Sequence, residues 1–115
     1  MHELGVVFHV IDNVKEVMQE NNIDRLESVT LSLGKVSSVI PSYLSDCWKW
    51  AVNKDEMMKG CELIIEPIEA ITFCEDCENT YDTIKYGKIC PHCKSEHTYL
   101  LQGNEFIIKE ITVPS

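Results

Sequence analysis

Two matched cysteine pairs, Cys74-Glu75-Asp76-Cys77 and Cys90-Pro91-His92-Cys93, stand 12 residues apart and constrain this chain more than any other feature. Two such turns are expected to converge as a tetrahedral four-thiolate site of the kind that holds structural Zn²⁺. A closed site leaves no coordination position for a substrate, so the module reads as scaffold rather than catalyst. The stretch between the pairs is long enough for a short hairpin, with Thr80-Tyr81-Asp82 and Tyr86-Gly87-Lys88-Ile89 flanking a polar middle.

The other readings of these cysteines rank lower. Two disulfides need an oxidising compartment, whereas the opening Met-His-Glu-Leu lacks the basic region and apolar run of a signal peptide, so a cytoplasmic location is expected. A redox CxxC explains one pair and leaves the second without a role. Rubredoxin-like iron uses the same four ligands and stays open at this point. No run approaches the roughly 18 apolar residues of a membrane span.

Charge narrows the partners. The 115 residues carry 19 acidic against 10 basic side chains, a net charge of −9. Four thiolates around a dication make the loaded protein more acidic still. A phosphate-binding surface needs clustered Lys and Arg, and the basic residues here are scattered, as at Lys85 and Lys88. Nucleic acid is therefore not an expected partner, and an acidic surface suits proteins or cations.

The periodicities predict an α+β body. Leu4, Val7, Phe8, Ile11, Val14 and Met18 recur at helical spacing, and Asn21-Asn22 is a plausible stop. Val29, Leu31 and Leu33 alternate with Ser28, Thr30 and Ser32, the pattern of a strand with one buried face that Gly34 ends. Pro41 opens a second helix with the stripe Leu44, Cys47, Trp48, Ala51. Gly60 precedes a second strand in which Cys61, Leu63 and Ile65 face one way, and Phe106 to Val113 supply a last one. The expected fold is two helices packed on a small mixed β-sheet with an inserted zinc ribbon. Residues 1–69 plus 104–115 make the α+β domain and 70–103 the ribbon, and the last strand is expected to pair with residues 61–69.

The amino terminus has its own chemistry. The α-amine of Met1 and the amide and imidazole nitrogens of His2 can wrap one ion in fused chelate rings, a nitrogen-rich planar set that suits Ni²⁺ and Cu²⁺ better than Zn²⁺. The first amides of a helix have no intrahelical acceptor, so an amide there can exchange its proton for a metal. Glu3 can add a carboxylate or a second amide.

Together, Met1-His2-Glu3-Leu4, Gly34-Lys35-Val36-Ser37-Ser38-Val39-Ile40-Pro41, the paired CxxC turns and Gly103-Asn104-Glu105 resemble the HypA/HybF family over essentially the whole chain. The resemblance implies a nickel metallochaperone for [NiFe]-hydrogenase assembly and, in some bacteria, urease. It implies nickel at His2 with Met1 and Glu3, and structural zinc at Cys74, Cys77, Cys90 and Cys93. It also implies a HypB-type GTPase partner, a hydrogenase large-subunit precursor or urease maturation proteins as recipients, and a homodimer as a possible assembly. Lys35 departs from members that carry an acidic residue after the strand-ending glycine.

Remaining residues read more plainly. His9 is expected to be a partly exposed helix histidine, and neither His92 nor His97 is expected to bind the resting metal. Cys47 and Cys61 are expected as core thiols, their alternative being a soft second nickel site if they lie together. Trp48 belongs to the core stripe and Trp50 to an exposed face suited to a partner. No Ser/His/Asp order, Gly-rich phosphate loop or HExxH is present, so no enzyme is expected.

Overall fold

The computed structural model describes residues 3–115. In chain order the elements are α1 (Glu3–Glu20), β1 (Ser28–Gly34), α2 (Pro41–Asn53), β2 (Glu62–Ile68), β3 (Ile71–Cys74), β4 (Thr80–Asp82), α3 (Thr83–Tyr86), β5 (Thr98–Gln102) and β6 (Phe106–Thr112). They form two three-stranded sheets, ordered β2-β1-β6 and β4-β3-β5. The chain divides into two compact units. Of the described residues, one holds 3–31, 38–66 and 107–115; the other holds 32–37 and 67–106.

The first unit has the stronger apolar core. On α1 the buried face is Val6, Val7, Val10, Ile11, Val14 and Met18. The expected stripe was rotated: Phe8 is 44% exposed, and Val6 and Val10 take the inward positions. Bulk misled the reading, because Phe8 lies over the exposed ring of Trp50 in an edge contact at 6.4 Å. Helix α2 starts at Pro41, whose missing N–H costs nothing in a first turn. Leu44, Trp48, Ala51 and Val52 are its buried residues, and Cys47 is only half-buried. The Trp48 indole N–H donates to the Cys61 carbonyl at 2.9 Å, so this large side chain is buried with its polar atom satisfied.

Strand β1 departs from one-sided alternation. Val29, Leu31 and Leu33 are buried as expected, yet Ser28 and Thr30 on the other face are buried too. The topology explains this, since β1 is the central strand. Glu62 N–H donates to Glu27 O and Lys35 N–H to Ile68 O, so β2 runs parallel to β1. Glu27 N–H donates to Thr112 O and Gly34 N–H to Glu105 O, so β6 runs antiparallel on the opposite edge. The sheet is mixed, and α2 is the crossover between its parallel strands. The expected pairing of β6 with residues 61–69 is therefore incorrect. A parallel pair needs a long helical connection, and α2 supplies one to β2, leaving β6 the free edge of β1.

In the second unit, β3 is flanked antiparallel by β4 and β5, with Phe73 opposite Thr80 on one side and Tyr99 on the other. The hairpin expected between the cysteine pairs is replaced. Residues 80–82 pair with β3, and the chain then enters the single turn α3, capped by the Asp82 carboxylate accepting Ile84 N–H at 3.0 Å. Gly34 and Gly103 meet within this unit. A Cβ on Gly34 would stand 2.0 Å from the Gly103 carbonyl oxygen, so only glycine permits the crossing.

Candidate metal centre

The two cysteine turns are built alike. Cys74 O accepts Glu78 N–H and Cys74 N–H donates to Asn79 O, each at 2.9 Å. Sixteen residues on, Cys90 O accepts Lys94 N–H at 2.9 Å and Cys90 N–H donates to Ser95 O at 3.0 Å. Glu78 and Lys94 adopt the same left-handed backbone, φ 60° and 64°, which turns the chain back after each second cysteine. Four side chains are thereby aimed at one point.

All four sulfurs lie within 4.8 Å of one another. The cross-knuckle pairs Cys74–Cys93 and Cys77–Cys90 each have their sulfurs 3.6 Å apart. Four sulfurs about 2.3 Å from a tetrahedral ion stand about 3.8 Å from each other, so the donor set fits Zn²⁺ in number, softness and size. Backbone and side-chain donors support the sulfurs: His92 N–H points to Cys90 Sγ and Asn79 Nδ2 to Cys77 Sγ, both at 3.4 Å. For the Cys93 thiol, the Ser95 amide acts downward, whereas local desolvation and the thiols of Cys74, Cys77 and Cys90 push it up to about 12. Four thiolates this close coexist only around a cation, whose charge reverses that balance.

A polar clamp ties the knuckles together. Asp76 accepts hydrogen bonds from the Ser95 hydroxyl and, at 3.1 Å, from His97 Nδ1. Glu75 N–H donates to His97 O at 2.9 Å, and His97 N–H to Ser95 Oγ at 3.0 Å. The Ser95 and His97 hydrogen bonds hold the Asp76 carboxyl below the usual carboxylate range. Sequence reasoning missed this clamp. Asp76 and His97 are unremarkable until the fold sets them side by side, and His97 serves the carboxylate rather than the sulfurs.

The remaining candidates are dispersed. Met1 and His2 lie outside the described residues. Glu3 begins α1, and its carboxylate accepts Ile40 N–H at 3.2 Å. His9 is exposed and shares a 3.2 Å hydrogen bond with Asn13. Lys35 pairs with Glu69 at 2.6 Å, which gives the basic residue a local structural partner. Among the described residues the four knuckle cysteines are the one convergent group of three or more His, Cys, Asp or Glu ligands, and neither Cys47 nor Cys61 joins it.

Residues 1–113 match the family described as hydrogenase/urease nickel incorporation, metallochaperone, hypA. The chain belongs to the HypA family. Its relatives include hydrogenase maturation factor HypA of Actinobacillus succinogenes, 30% identical over 98% of this chain and 99% of that one. Hydrogenase maturation factor HybF of Klebsiella pneumoniae is 31% identical over 96% and 97%. The fold resembles the solution structure of the nickel metallochaperone HypA from Helicobacter pylori, with TM-score 0.69 at 23% identity over 98% and 97% of the two chains. A second solution structure of a HypA protein gives TM-score 0.72 at 24% identity over 99% and 97%. The HypA family is one of maturation factors rather than catalysts. Among the described residues no helix is long and apolar enough to cross a membrane.

Proposed function

We propose that this chain carries Ni²⁺ at its amino terminus and surrenders it during hydrogenase or urease maturation. The observation that carries this reading is the HypA family match over residues 1–113 of a chain that begins Met-His-Glu. Nickel is cargo here, held by the Met1 amine, the His2 amide and imidazole, and a donor from Glu3. Such a terminal site is exchangeable, since an incoming partner can replace its ligands one at a time. It is also proton-linked, because the amine and imidazole must be in their neutral forms and the amide must give up its proton to bind. Falling pH therefore weakens nickel binding as His2 protonates.

Cys74, Cys77, Cys90 and Cys93 hold zinc in this reading, and the ion supplies folding energy to the ribbon. The first domain, residues 1–69 with 104–115, carries nickel; the second, residues 70–103, is scaffold and docking surface. A HypB-type GTPase and a hydrogenase large-subunit precursor are the partners, with urease maturation proteins as the alternative recipients and the cytoplasm as the setting. Calorimetric titration of untagged, zinc-loaded protein with Ni²⁺ beside His2→Ala tests the proposal. Tight binding lost in the variant is the expected result. Equal binding by both proteins would move nickel elsewhere, and no binding by either would leave a zinc ribbon that docks partners without nickel.

A further inference from the structure

The four sulfurs of the centre differ in access. Cys74 and Cys90 are buried, Cys77 is half-buried and Cys93 is exposed. Cys93 is thus the exposed residue of the set, and its Sγ lies 3.6 Å from that of Cys74 on the opposite knuckle. The clamp bears on the same pair. Asp76, between the first two cysteines, binds Ser95 and His97, which follow Cys93 by two and four residues. Glu75 N–H to His97 O adds a backbone tie across the same gap. When a sulfur leaves the centre, these contacts keep the segment after Cys93 against the turn that carries Cys74.

We propose that Cys93 is an oxidant-reactive site and Cys74 its resolving partner, so that hydrogen peroxide converts them to a cross-knuckle disulfide and discharges the metal. The inference rests on the zinc reading above. Susceptibility to peroxide follows thiolate character and exposure, and metal ligation gives all four sulfurs the first while the fold gives Cys93 the second. The Cys93 thiolate attacks one peroxide oxygen, breaking the O–O bond to give a sulfenic acid and hydroxide. The Cys74 thiolate then attacks the Cys93 sulfur, forming the S–S bond and expelling a second hydroxide. Two electrons pass from the two sulfurs to the peroxide, and both hydroxides take up protons to become water. Two thiolates cannot hold the ion as four did, and it leaves. A dithiol reductant reverses the chemistry. The core thiol Cys61 is protected, since burial and the nearby Glu62 charge push it up to about 11.

The test uses the zinc-loaded full chain. Zinc content is measured first, then hydrogen peroxide is added with and without dimedone, which traps sulfenic acids. Peptide mass mapping locates adducts and disulfides while a chromogenic chelator follows zinc. The expected result is earliest dimedone capture at Cys93, and without dimedone a Cys74–Cys93 cross-link formed in step with loss of the bound zinc. In Cys74→Ser the Cys93 adduct should accumulate at the expense of that cross-link. First capture at another sulfur, or a Cys74–Cys77 disulfide within one knuckle, overturns the proposal and leaves the zinc reading standing. A chain that holds no zinc at the outset overturns that reading and this proposal with it.

Discussion

Removing zinc should unfold the cysteine-bearing unit and spare the other. Within residues 67–106 the buried apolar side chains are Ala70, Cys74, Tyr81 and Cys90, two of them members of the four-cysteine cluster. Ile84, Tyr86, Ile89, Tyr99, Leu100 and Leu101 are all at least 38% exposed, so they add little to a core. Burying Tyr81 contributes about 2–3 kcal/mol, and the Asp82 cap of α3 about 1 kcal/mol. A structural zinc site contributes about 10–16 kcal/mol, as much as the whole stability of a typical small domain. The metal term therefore decides whether β3, β4 and β5 persist. Residues 1–31 and 38–66, by contrast, bury Val7, Val10, Val14, Met18, Val29, Leu31, Leu44, Trp48 and Met58 at 2% exposure or less. Hydrogen exchange read by mass spectrometry before and after exhaustive chelation is the assay. Amides of residues 71–74, 80–82 and 98–102 should lose their protection, and those of α1 and α2 should keep theirs within about tenfold, or 1.4 kcal/mol. Retained protection at Thr72 and Phe73 after verified zinc loss would refute the reasoning.

The two tryptophans should separate in urea unfolding. Trp48→Ala should cost about 3–5 kcal/mol as a buried aromatic truncation, and Trp50→Ala, at 51% exposure, should stay within about 0.5 kcal/mol. Gly103→Ala should lower the melting temperature of the second unit, because a residue at φ 118° with its Cβ 2.6 Å from Ala70 Cα must move backbone. For Asp55, burial acts upward, but the Lys15 ion pair and the Met57 and Met58 amides outweigh it and lower the carboxyl. A depressed folded value means that its stabilisation is present above the unfolded carboxylate range near pH 4 and is lost as pH falls through the folded value. Lys15→Met should flatten the acid limb of a stability-versus-pH profile by up to about 1 kcal/mol. An added N-terminal tag should abolish tight nickel binding by removing the Met1 amine, which calorimetry reads directly.

Much of the candidate site was legible because its signals are local. The repeat Cys-x-x-Cys fixes two turns by itself, and both take the same backbone hydrogen bonds. Pro41 marked the start of α2 because proline fits a first turn and fits a helix interior poorly. The stripe on α1 was read with Phe8 inward, since periodicity locates an apolar face only to within a residue or so and cannot show that Trp50 offers a surface ring as a partner.

The chain's own order of residues determined most of the elements, and the four cysteine donors with their softness. Those depend on neighbours a few positions apart and on side-chain chemistry. Only the tertiary structure decided that β1 is the central strand and buries Thr30, or that residues 32–37 pack with 67–106 through the Gly34–Gly103 crossing. It also decided that Cys93 faces Cys74 and that Asp76 holds Ser95 and His97. Each of these joins residues 19 to 85 positions apart in the chain. Periodicity specifies which face of an element is apolar, but carries no record of which distant segment will cover it.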